Sequence, residues 1–115
     1  MNDYELVLCI VNHGFSDDVM DISRAVGARG GTVINARGTA RSDAEKMFNI
    51  VIEPEKEIVL MVVQKQIKDD LLHALYKNIG LNTPGGGIAF SLPVDDVAGL
   101  TPIINKEEIK DGNQK

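Results

Sequence analysis

Asn82-Thr83-Pro84-Gly85-Gly86-Gly87, running directly into Ile88-Ala89-Phe90-Ser91-Leu92, decides how the rest of the chain is read. Successive glycines cost backbone entropy on folding unless the fold needs positive φ or a close approach to the main chain. Such a loop presents consecutive amide donors with no side chains in the way, a setting that suits an anion such as phosphate. The same residues serve equally as a tight turn into a last strand, and glycines alone do not separate the two readings.

Upstream of the loop, Gln64 to Asn78 has helical spacing, with Ile67, Leu71, Ala74, Leu75 and Asn78 close to one stripe, Leu72 and Ile79 at its margin, and Gly80 as the stop. Ile58 to Val63 is an apolar strand. Glu53-Pro54-Glu55-Lys56 reads as a turn with proline at its second position. That turn joins it to a strand at Met47 to Ile52, with Phe48, Ile50 and Ile52 on one face. Gly38 to Lys46 is polar and small, a loop longer than connectivity requires, and such loops often carry function. Thr32 to Arg37 has the β-branched residues of a strand. The first helix follows from Ser16 as N-cap, Asp17 and Asp18 in the first turn, Val19, Ile22, Ala25 and Val26 at helical spacing, and Gly27 as terminator. Tyr4 to Val11 is a short, nearly unbroken apolar run, as expected of a strand held inside a sheet.

Downstream, Val94 to Val97 can pair briefly at an edge and Thr101 to Ile104 can form a short last strand. Residues 105–115 are polar and charged without a core-facing stripe, which predicts a frayed tail after a single domain spanning 1–104. The order strand, helix, strand hairpin, helix, strand is the βαββαβ pattern of the ferredoxin-like sandwich. This is an α+β fold with two helices on one face of an antiparallel sheet. The other face, apolar if the strands alternate, needs cover from further copies of the chain, so a homo-oligomer is expected.

Composition narrows the function. The chain has 115 residues and a formal net charge of -5, which argues against a nucleic-acid partner, because phosphate backbones are held by clustered positive charge. No apolar run is long enough to span a bilayer and the start lacks the basic region of a signal peptide, so a cytoplasmic protein without membrane insertion is expected. Cys9, the single cysteine, lies in an apolar run and reads as buried. His13 and His73 are far apart with no ligand spacing around them, so no metal site is expected. All four arginines (Arg24, Arg29, Arg37 and Arg41) fall in one short span, and guanidinium groups suit phosphate; Arg24 and Arg29 read as solvated surface. No Ser-His-Asp set, carboxylate pair or Cys-His pair emerges, and an enzyme is not expected.

Asp17-Asp18-Val19, Val26-Gly27, Gly30, Thr32-Val33, Arg37-Gly38 and Arg41 keep, without a gap, the spacing found in PII signalling proteins. The resemblance continues through Glu57 to Val63, the second helix and Gly85-Gly86-Gly87-Ile88-Ala89-Phe90, covering about Leu6 to Val97. It implies a homotrimer whose sheets face inward, with adenine-nucleotide sites in the clefts between neighbours. A long loop between the middle strands, the T-loop, would dock onto a target such as a membrane transporter or a metabolic enzyme. By position, Thr32 and the backbone at Val62 match the adenine-side contacts, with Ile10 packing nearby. Gly38, Ala40 and Arg41 match the base of the T-loop facing phosphate, and Gly85, Gly86 and Gly87 match the phosphate-cradling loop of the adjoining subunit. Bare amides and an arginine fork suit a polyphosphate.

The departures shape the ligand. Ile88 stands where the family places a lysine, and Gly99-Leu100-Thr101 supplies none of its C-terminal arginines, so ADP, AMP or another adenine-containing ligand is admitted beside ATP. The T-loop is shortened to about Arg41 through Met47 and has no tyrosine, which removes the usual uridylylation site. Ser42 replaces the glutamine that helps hold magnesium and 2-oxoglutarate, although Lys56 stands where the family pairs 2-oxoglutarate, so the magnesium question stays open and 2-oxoglutarate sensing is not expected. Two further readings are a ligand-free trimeric interaction module and a metal-binding relative of the CutA kind.

Overall fold

The computed structural model describes residues 3–39, 54–81 and 86–100. Its elements are β1 (Tyr4–Asn12), α1 (Ser16–Val26), β2 (Thr32–Arg37), β3 (Glu55–Gln64), α2 (Lys68–Asn78) entered through a 3-10 turn at Lys65–Ile67, and β4 (Ile88–Val94). The strands form one antiparallel sheet in the order β2-β3-β1-β4. Both helices pack on one face, α1 against β3 and α2, and α2 against β4. This is the α+β sandwich expected from the order of elements.

Alternation along β1 and β3 builds the core. Val7, Cys9 and Val11 of β1 and Val59, Met61 and Val63 of β3 point toward the helices, where they meet Val19 and Met20 of α1 and Leu71 and Leu75 of α2, all buried. Each such side chain contributes on the order of 1.5–3 kcal/mol by leaving water. Cys9 is fully buried, and that burial pushes its thiol up to about 11, so it is a packing residue.

The partner positions on β1 and β3 point the other way, and register aligns them into rows across the sheet. Ile34, Ile58, Ile10 and Ile88 form one row; Thr32, Leu60, Leu8 and Phe90 form the next; Val62, Leu6 and Leu92 form a third. No helix among the described residues covers this face, and Ile88 is 55% and Leu92 48% exposed. Such a continuous apolar lattice on a free surface is far larger than scattered surface hydrophobics.

Several local expectations are corrected. Ser16 is the first residue of α1 and not its cap; no side chain of the preceding residue caps the helix, and the Glu57 carboxylate from β3 accepts the N–H groups of Gly14 and Ser16 instead. The buried face of α1 is Val19, Met20 and Ser23, while Ala25 is exposed. Burying the long Met20 chain removes more apolar area than burying a methyl group.

Glu55 and Lys56 belong to β3, not to a turn, because Arg37 and Ala36 pair with them from β2 and Asn12 pairs with Lys56 from β1. Pro54 precedes the strand, where its missing N–H costs no ladder bond. β3 therefore makes its hairpin with β2, joined by residues 38–54; the expected strand at Met47 to Ile52 lies outside the described residues. Gln64 is still held by Tyr4 in the sheet, so the second helix begins later than expected, and Asn78 is exposed with its amide on the Ala74 carbonyl. Val94 ends β4 and residues 95–97 add no strand; residues 101–115 lie outside the description.

Candidate functional site

Two ends of the sheet differ. At the end where β2 begins and β3 finishes, a groove of about 680 Å³ opens between the Gly27–Gly31 segment and the strand ends. Its floor is apolar, from Leu6, Ile34, Leu60 and Val62, and Thr32, Arg29 and Gln64 add polar groups. Gly27 stops α1 at φ 124°, with its N–H on the Ser23 and Arg24 carbonyls, which turns the chain into that wall. Gly31 then passes so close to β3 that an added Cβ would stand 3.0 Å from the Leu60 carbonyl oxygen and 2.9 Å from Met61 Cγ. Gly31 keeps this wall of the groove tight on β3, while Gly30 has open space where a Cβ would sit.

At the opposite end, β1 and β2 finish and β3 and β4 begin. Gly38 follows β2 and donates its N–H to the Pro54 carbonyl at 2.7 Å, closing the base of the 38–54 connection. Lys56 runs alongside, its stem 3.1 Å from where a Gly38 Cβ would sit, and its ammonium donates to Asn12 Oδ1 at 2.6 Å. Gly87, at φ 122°, enters β4 with its Cα against the Ile10 carbonyl oxygen, where a Cβ would collide. Beside these groups Glu57 is buried, with about a tenth of its side chain exposed. Burial raises its pKa, but the Ser16 and Gly14 N–H groups, the Ser16 hydroxyl and nearby His13 outweigh it and hold the carboxyl below the usual range. His13 Nδ1 stands 3.7 Å from Glu57 Oε2.

The residues singled out from sequence thus divide into two sets. Thr32 and Val62 line the groove at one end. Ile10, Gly38, Gly86 and Gly87 lie at the other end, Gly38 on the β2 edge and Gly86 and Gly87 on the β4 edge; Ile10 does not line the groove, since it stands four residues along β1 from Leu6, about 13 Å by strand rise. Ala40, Arg41 and Gly85 lie outside the described residues. Sequence reading missed Leu60 and Arg29. Leu60 was accessible from period-two alternation, because it shares its face with Val62; Arg29 was assigned to solvated surface, and only the fold carries it to the groove wall. Among the described residues no group of His, Cys, Asp and Glu side chains is arranged to hold a metal, and no helix is long and apolar enough to cross a membrane.

No protein-family model matches the chain, and no curated protein matches it. Solved structures do. A PII-like signalling protein from Thermus thermophilus superimposes with TM-score 0.62 at 17% identity, over 81% of this chain and 87% of that one. Arabidopsis thaliana PII, solved with citrate, gives TM-score 0.61 at 24% identity over 84% and 80%. CPII from Thiomonas intermedia K12, a nitrogen regulatory PII-like protein solved with ADP, AMP and bicarbonate, gives 0.63 at 11% over 84% and 96%. The chain has the fold of PII-like signalling proteins.

Proposed function

We propose that the protein is a PII-like signalling regulator that binds an adenine nucleotide between subunits of a homotrimer and acts on a partner protein through the 38–54 connection. The observation that carries this reading is the division of the candidate residues between opposite ends of one sheet, on an apolar face that no described helix covers. One chain cannot bring Thr32 and Val62 against Gly86 and Gly87. A neighbour packed on the open face can, with the groove receiving an adenine ring and the glycine amides of the other copy receiving phosphate. Structural neighbours solved with ADP and AMP, and a Bacillus subtilis GlnK solved with ATP, support an adenine nucleotide as the ligand class. A ligand that touches both the loop base and the neighbour's glycines favours the loop conformation making both contacts, and its differential affinity sets the size of the switch. The partner is a transporter or a metabolic enzyme, and the setting is cytoplasmic.

Calorimetric titration with ATP, ADP and AMP, run beside sedimentation equilibrium, tests the reading. Heat of binding from a trimer is expected. A trimer that binds none of the three leaves the second reading, an interaction module without ligand. That alternative draws on Gly87, whose glycine is already required by its contact with Ile10 and by positive φ, with no anion involved.

A further inference from the structure

We infer that Glu57 is a positioning residue that sets the base of the 38–54 connection from the N-terminus of α1. The start of β3 is where the sheet runs out: β1 pairs no further than Asn12 with Lys56, and β2 no further than Arg37 with Glu55. A strand end of this kind frays unless something beyond the ladder holds it. Here the hold comes from the Asn12–Ser16 corner. The His13 N–H donates to the Glu55 carbonyl at 3.1 Å, Lys56 reaches Asn12, and Glu57 Oε1 takes the Gly14 and Ser16 N–H groups at 3.0 and 3.1 Å. Pro54, on the same short run, receives the Gly38 N–H. Corner, β3 start and Gly38 are therefore one connected hydrogen-bonded unit, and the buried carboxylate is its charged centre.

Two ordinary explanations of Glu57 fall short of this arrangement. A surface glutamate would not be buried with both bonds made to one corner, and a helix cap alone would not need its neighbours in sequence to bond that corner. The first N–H of the helix, at Ser16, is thus bonded from within the chain, and the positive end of α1 helps hold the carboxylate that anchors the strand. Because β3 continues from Glu57 toward the core, motion of the corner passes to Pro54 and Gly38 more readily than to the remainder of the sheet. The inference concerns one half of the site proposed above, and its first readout needs no nucleotide.

Amide hydrogen exchange on the intact protein and on Glu57→Ala tests it. Exchange is expected to rise about tenfold or more at Gly14, Ser16 and Gly38, the size of losing a charge-assisted bond, while Lys65 and Ile79 keep wild-type protection. A rise confined to Gly14 and Ser16 would reduce Glu57 to a helix cap and overturn the inference, as would an equal rise at all five amides. If Glu57→Ala does not fold, Glu57→Gln, which keeps one acceptor oxygen, is read at the same amides; a smaller rise that includes Gly38 supports the coupling and one that spares Gly38 refutes it. Titration with ADP forms a separate arm: if the wild type binds none, the nucleotide reading fails while the exchange result still decides this one.

Discussion

Gly87 lies with its Cα against the carbonyl oxygen of Ile10, so the loop that enters β4 is seated on the backbone of the central strand β1. Replacement by alanine meets that oxygen and also places a side chain at φ 122°, where L-residues are strained. Gly87→Ala is expected to lower unfolding free energy by about 1–3 kcal/mol, measured by denaturant titration. An unchanged midpoint would mean that the loop is free to move away from Ile10.

Leu8 sits at the centre of the open face, opposite Leu60 on one side and Phe90 on the other. A lysine there reaches water easily in a lone chain and is trapped in apolar surroundings within an assembly. For the trimer proposed above, Leu8→Lys is expected to give a monomer by sedimentation equilibrium while far-ultraviolet circular dichroism stays that of the wild type. Retention of the full assembly would take this face out of the interface.

Glu57 has a carboxyl held below its ordinary pKa in the folded chain. A depressed carboxylate contributes stability that is present above its unfolded pKa and lost as pH falls through its folded one. Thermal midpoints should therefore fall on acidification below the ordinary glutamate range, and Glu57→Gln should make that acid limb shallower. Parallel acid limbs in the two proteins would assign the loss to other carboxylates.

Ser23 is fully buried on α1, and its Oγ has no hydrogen-bond partner among the described residues. A hydroxyl of this kind costs desolvation without return. Ser23→Ala is expected to be neutral or stabilising by up to about 1 kcal/mol in denaturant titration. A loss of stability would point to a water or a shifted rotamer that satisfies the hydroxyl.

The strands and helices among the described residues were legible because their signals are local. Val7, Cys9 and Val11 alternate with Leu6, Leu8 and Ile10, and Gly27 ends the first helix where it was read to end. What escaped depended on residues distant in sequence. The cap of α1 comes from Glu57, more than a strand and a helix away, so a local search settled on Ser16. Glu55 and Lys56 look like turn residues beside Pro54, yet pairing from two neighbouring strands outweighs that preference. For the site, residue identities were readable but their grouping was not: Thr32 and Ile10 seem close in a linear reading of one cleft, and sheet register sends them to different ends.

The rim where β1 and β2 finish and β3 and β4 begin carries residues 13–15, Gly38, Pro54 and Gly87, while the buried side chains sit between the sheet and its helices. The chain between Gly38 and Pro54 thus starts and ends at this rim, joined there by the Gly38 N–H on the Pro54 carbonyl, and not among the packed side chains. Loop length at that rim can therefore drift in evolution while the slab beneath keeps its packing, and a designer can vary it there for the same reason.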